Sequence, residues 1–289
     1  MRSKEFALKC SPRFNPEHAA MRLFLSALAV ACALFCAAQI HAQPEAAETP
    51  EANPGRPTVS TPATLTPVGY LQFENGGLYA VSSSEFAKQL GINQVTKLTV
   101  APRLELLVSS EPFSHTSGAI GEALPEMLPG DVDAGFQAVV LPGDGLKPTV
   151  SLSYFRVIYS GSAPDTDIGS FRRSALFLLS EDFGRFHLDM NGVFSEQTGN
   201  GVRRGQFGQT LSISHPLGRF TAGGELWHFT QPLKRGNAVG NLWALSFTAR
   251  KNLVLDAGLD RGLTSSSTQW EGFAGLTYVL PHRLWKSQK

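Results

Sequence analysis

Residues 185–194 read RFHLDMNGVF, with Arg185, His187, Asp189 and Asn191 standing two apart and Phe186, Leu188, Met190, Gly192 and Phe194 between them. A β-strand turns successive side chains to opposite faces, so this stretch has one polar and one apolar face. Two readings compete. The polar residues could form a catalytic or metal-binding constellation, or they could be one wall of a larger β-structure.

Sister segments favour the wall. In 131–141, Val132, Ala134, Phe136, Ala138 and Val140 share one parity, opposite Asp131, Asp133 and Gln137. Phe207, Leu211 and Ile213 alternate with Gln206, Gly208, Thr210 and Ser212. Leu253, Leu255, Ala257 and Leu259 oppose Asn252, Asp256, Gly258 and Asp260, and Val239, Trp243, Leu245 and Phe247 oppose Gly240, Ala244 and Ser246. Twelve such strands are predicted, over 68–75, 94–101, 103–110, 131–141, 148–159, 170–181, 184–195, 205–215, 217–230, 238–249, 251–260 and 270–280.

Composition agrees with an all-β chain. The 289 residues carry a net charge of +1, without a Lys/Arg run, which argues against nucleic acid as a partner. The 28 Gly and 19 Phe suit strands and tight turns better than helices.

From Met21 the chain reads MRLFLSALAVACALFCAAQIHA, which is one Arg, an apolar run and small residues before Ala42. That is the pattern of a cleaved Sec-type signal peptide over 1–42, with Met21 as an alternative start and an uncleaved anchor as the competing reading. Cys10, Cys32 and Cys36 all precede Ala42, so a mature chain would have neither a disulfide nor a thiol-based metal site. Residues 43–67, with Pro44, Pro50, Pro54, Pro57, Pro62 and Pro67, are expected to form a Pro-rich disordered or extended tether. The domain proper is then 68–289.

Alternate connections between the strands are short (PGDGLK, EDFG, HPLG, ARKN), and those between are mostly longer, as in 76–93, 111–130, 160–169 and 261–269. Short turns on one side and long loops on the other mark an up-and-down antiparallel transmembrane β-barrel, with about 12 strands. A soluble β-sandwich or jelly roll explains the alternation equally well, but explains the connections and the signal less well. An even strand count puts both ends of the barrel on the short-turn, periplasmic side. Trp227, Phe229, Trp243, Trp270 and Tyr278 lie near strand ends and are expected to form interfacial girdles.

TPATLTPVGYLQFENG (61–76) and TKLTVAPRLELLV (96–108), with Pro67, Gly69, Glu74, Arg103 and Glu105, resemble the outer-membrane transporter-like family filed as the "MetA-pathway of phenol degradation". GDVDAGFQAVV (130–140) and the last strand GFAGLTYVL (272–280) extend the resemblance over most of the expected mature chain. It implies an outer-membrane barrel of a Gram-negative bacterium that moves small molecules, hydrophobic or aromatic ones among them. The partners it implies are membrane lipid, small solutes and the barrel-assembly machinery. The chain departs from the usual terminal aromatic, since PHRLWKSQK follows Leu280. The apolar parts of the 111–130 loop could fold inward as a constriction.

No catalytic motif is present: G-x-S-x-G, Walker, H-E-x-x-H and G-x-G-x-x-G are all missing. Ser195, His187 and Asn191 share a parity, but it is the polar one, which argues against a hydrolase acting at the lipid face. We therefore expect no enzyme and no cofactor or metal. The lumen is expected to be lined by Glu74, Lys97, Arg103, Glu105, Asp131, Asp133, Arg185, His187, Asp189, Asn191, Glu225, Asp256 and Asp260. A Lys or Arg among them would cost about 2–4 kcal/mol facing lipid at midplane. Twelve strands leave a narrow lumen, either open to small solutes or plugged by a loop or by the tether. The alternatives to a channel are a plugged barrel with a structural or surface-binding role and an outer-membrane hydrolase.

Overall fold

The computed structural model describes residues 49–117, 126–164, 171–199, 201–234 and 236–285. The expected signal peptide, the three cysteines, residues 43–48 of the tether and residues 118–125 of the long loop lie outside the described residues.

The strands are β1 (Leu71–Val81), β2 (Lys88–Ala101), β3 (Leu104–Ser117), β4 (Glu126–Leu128), β5 (Val132–Leu141), β6 (Thr149–Tyr159), β7 (Phe171–Phe183), β8 (Phe186–Gly199), β9 (Val202–Leu217), β10 (Phe220–Phe229), β11 (Ala238–Arg250), β12 (Leu253–Gly262) and β13 (Trp270–Val279). Neighbours pair antiparallel. β13 pairs with β1, and β2 pairs with β3, so the sheet closes on itself. Of the thirteen strands among the described residues, β4 pairs with β3 alone, which leaves twelve in the closed wall.

The fold is inside out relative to a soluble protein. On β8, Phe186, Met190 and Phe194 are 47%, 45% and 48% exposed, while Asp189, Asn191 and Ser195 are 8%, 5% and 1% exposed. The same inversion holds on β9, where Phe207, Leu211 and Ile213 are exposed and Gln206, Thr210 and Ser212 are buried. An apolar outer face around a polar interior is stable where the surroundings are lipid, and closure leaves no unpaired edge there.

At one end, two-residue turns join β2 to β3, β7 to β8, β9 to β10 and β11 to β12, while the longer 142–148 joins β5 to β6. Gly184 (φ 63°) precedes Arg185 and Gly218 (φ 68°) precedes Arg219, which places a positive φ at the first turn position, as a type II′ hairpin requires. The other end carries most of the longer connections. There the expected long loop 76–93 is reduced to 82–87, because β1 and β2 stay paired out to Val81 and Lys88. Asn75-Gly76-Gly77 looks like a turn in the sequence but lies within β1, with Leu78, Ala80 and Phe86 clustered beyond it inside the hairpin. β8 and β9 are also joined briefly at this end, from Gly199 to Val202.

Candidate functional site: a lumen threaded by its own chain

Residues 49–67, expected as a disordered or extended tether that could plug the lumen, run inside the barrel. Pro50, Pro54, Pro57, Pro62 and Pro67 keep the segment from making a ladder, so its remaining N–H and C=O groups need other partners. Side chains on the luminal parity of the wall provide them. The segment comes in at the short-turn end, where Ala52 N–H donates to the carbonyl of Lys251 in the β11–β12 turn (2.9 Å). It rises to mid-barrel and descends again to β1. The two limbs touch where Asn53 Nδ2 donates to the Thr64 carbonyl (2.9 Å).

Two carboxamides hold this hairpin as a neighbouring strand would. Gln72 accepts from Asn53 N–H (2.9 Å) and donates to its carbonyl (2.7 Å). On the far wall, Asn191 accepts from Thr61 N–H (2.6 Å) and donates to its carbonyl (2.9 Å). At the tip, the Glu225 carboxylate accepts from Val59 N–H (2.8 Å) and from the N–H and hydroxyl of Ser60 (both 2.7 Å). Gly55 N–H donates to Glu74 (3.0 Å), which also pairs with Lys97 (2.5 Å). Arg56 pairs with Asp256 (3.3 Å).

On the descending limb, Ala63 N–H donates to Ser180 Oγ (2.7 Å), which in turn donates to Asp189 (2.5 Å). Ser151 Oγ donates to the Ala63 carbonyl (2.5 Å), and Gln137 Nε2 donates to the Pro62 carbonyl (3.0 Å). Thr66 N–H donates to Glu105 (3.1 Å).

Above the tip the lumen changes character. Val59 packs against Trp227 and Phe229, whose ring centroids are 6.0 Å apart, and Trp227 Nε1 donates to Asp260 (2.7 Å). These rings lie flat on glycines of the adjoining strands. A Cβ on Gly240 would overlap Trp227, and one on Gly208 would overlap Phe229. Phe273 lies over Gly258 and Phe155 over Gly135 in the same way. The four rings make a partial aromatic collar on the luminal faces of β6, β10 and β13, of which Trp227 and Phe229 meet the hairpin at Val59. At the long-loop mouth, Ser109 donates to Asp133 (2.8 Å), and Gly161 N–H donates to Asp131 (2.7 Å).

The expected luminal residues thus divide. Glu74, Glu105, Asn191, Glu225 and Asp256 bind the hairpin directly, and Asp189 binds it through Ser180. Asp260 positions the collar, and Asp131 and Asp133 stand at the long-loop mouth. His187 bridges Asp182 (2.7 Å) and Asp189 (3.3 Å) near the short-turn end.

Arg103 and Arg185 require correction. Both lie in two-residue turns with exposed side chains, since strand parity does not extend into a hairpin. The girdle assignment of Trp227 and Phe229 is also corrected. Both share the parity of Glu225 and are buried in the lumen, whereas Trp243 (52%) and Trp270 (44%) are exposed on the outer face. Ser195, His187 and Asn191 are not brought together as a triad. Ser195 lies eight residues along β8 from His187, about 27 Å at strand spacing, and hydrogen-bonds Ser174 (2.9 Å).

Some functional residues carry no sequence signal of their own. Arg56, Ser60 and Thr61 sit in an aperiodic Pro-rich stretch. Gln72 and Gln137 were accessible by parity, since they alternate in step with Glu74 and Asp133.

No family model matches the sequence, and no curated protein is similar to it by sequence. Solved structures do match the fold. An outer membrane channel from Pseudomonas putida F1 superposes with TM-score 0.56 at 12% identity, covering 83% of this chain and 100% of its own. The NanC porin superposes with TM-score 0.53 at 11% identity, covering 71% and 98%. The chain shares their fold, a closed antiparallel β-barrel of the outer-membrane type.

Proposed function

We propose that the protein is an outer-membrane channel for small molecules, exported by its N-terminal signal, with the short-turn end toward the periplasm and a lumen gated by residues 49–67. The observation that carries this reading is the hairpin's attachment. It is held mainly by hydrogen bonds and the Arg56–Asp256 ion pair, with Val59 against Trp227 and Phe229 as an apolar contact, so it can be displaced without unfolding the wall. The partial aromatic collar supports solutes with apolar or aromatic parts, in keeping with the resemblance to the phenol-degradation-associated family. Glu74, Glu105, Asn191, Glu225 and Asp256 are engaged with the hairpin, which supports passage or binding rather than covalent chemistry.

Planar-bilayer conductance tests the proposal. The intact protein should show low or intermittent conductance, and deletion of 49–67 should give a larger, steadier one. Folded barrels that carry no current with or without the hairpin would refute the channel. That result would favour the plugged structural or surface-binding reading, which the occupied lumen also supports.

A further inference from the structure

We propose that the outward face of β6–β9 at the long-loop end is a binding site for the phosphate headgroups of an anionic outer-leaflet glycolipid. The inference rests on the outer-membrane reading above.

The geometry is a single transverse row. Arg156 of β6 stands directly opposite Arg173 of β7, and Arg173 directly opposite Glu196 of β8. Like charges in register across a ladder repel and cost stability unless an anion lies between them. A register shift between Phe171 and Arg173 inserts Arg172 beside them. Arg156, Arg172 and Arg173 then line one shallow cavity with Val157, Ile158 and Ser160. One carboxylate serves the row. Glu196 pairs with Arg173 (2.9 Å) and with Arg203 of β9 (3.5 Å), and the Arg173 and Arg203 side chains remain 55% and 60% exposed. Neither Arg156 nor Arg172 has an acidic partner among the described residues.

The position identifies the ligand as a lipid. One residue pair nearer the middle of the barrel, the outward row is Phe136, Tyr154, Ala175, Phe194 and Phe207. Phe194 and Phe207 pack at 5.1 Å and Phe136 and Tyr154 at 6.2 Å between ring centroids. The arginines therefore begin where the aromatic, lipid-facing band ends, at the level of headgroups. A molecule seated there has its anionic group on the guanidinium forks and its chains on the band. Guanidinium groups in a row match phosphate bidentately, a geometry that ammonium groups lack.

The test uses the full purified chain in detergent, first checked for heat-modifiable gel mobility, then examined by native mass spectrometry with added lipid A. Retention of lipid A is expected, with dephosphorylated lipid A retained about tenfold less. Arg156→Gln/Arg173→Gln should lower lipid A retention by a similar factor, while Arg185→Gln/Arg250→Gln, at the other end, should not. Equal retention of the dephosphorylated lipid, or by the double variant, would overturn the site. Displacement of lipid A by equimolar inorganic phosphate would overturn its assignment to lipid. Mobility unchanged by boiling would remove the barrel reading and this inference together, whereas a heat-modifiable barrel that fails the lipid tests removes this inference alone.

Discussion

Arg56 reaches Asp256, 200 residues further along the chain, at 3.3 Å, and its guanidinium lies across Gly76 of β1 and Gly275 of β13. Those two glycines are cross-strand partners, and Gly275 is also opposite Asp256. The wall has been left bare where the arginine lies and charged where it points. A Cβ on Gly76 would meet only the guanidinium, so Gly76→Val should expel Arg56 while sparing the ladder, whereas a Cβ on Gly275 would also meet the Asn75 carbonyl of the paired strand. The expected readout is a higher open probability in planar bilayers with unchanged heat-modifiability. Unaltered gating in Gly76→Val would mean that Arg56 does not hold the hairpin.

Glu225 is the tip's main acceptor. Glu225→Leu leaves the N–H groups of Val59 and Ser60 buried without a partner, at about 1–3 kcal/mol each. Residues 49–67 should then become sensitive to limited proteolysis, while the strands remain resistant. Equal protection of the hairpin in wild type and variant would remove Glu225 from the latch.

The two tryptophan environments are separable by fluorescence. In vesicles of brominated lipid, emission from Trp243 and Trp270 should be quenched, and that from Trp227, buried over Gly240, should not. Variants retaining one of these three tryptophans in turn, with the others and Trp285 replaced by Phe, give the comparison. Strong quenching of Trp227 would return it to the interfacial girdle.

Parity on β8 makes adjacent positions behave oppositely. Met190→Arg puts a cation on the lipid face and should cost about 2–4 kcal/mol in denaturant unfolding from liposomes. Asn191→Ala should cost less globally but loosen the hairpin, because it removes both bonds to Thr61. Similar unfolding midpoints for Met190→Arg and wild type would argue that this face does not meet lipid.

Alternation was enough to read the wall. RFHLDMNGVF specifies a strand with Phe186, Met190 and Phe194 on one side and Asp189 and Asn191 on the other, because the period of two is a property of the backbone and needs no partner. The strand count and the short turns followed from the same local chemistry. What parity could not reach is what is not periodic. Arg103 and Arg185 left the pattern at hairpins, and Asn75-Gly76-Gly77 imitated a turn. Gly76 is a glycine to seat Arg56, a residue twenty positions earlier on a segment with no regular structure. Trp227 and Phe229 share the parity of Glu225, yet their apolar rings suggest lipid, because the Gly240 and Gly208 that make room for them lie on neighbouring strands. The sequence by itself determined the closed wall and which face of each strand is polar, since these depend on local alternation. The tertiary structure alone decided what fills the lumen. The hairpin's partners lie on β1, β3, β5 to β10 and β12, and they converge only once the barrel has closed.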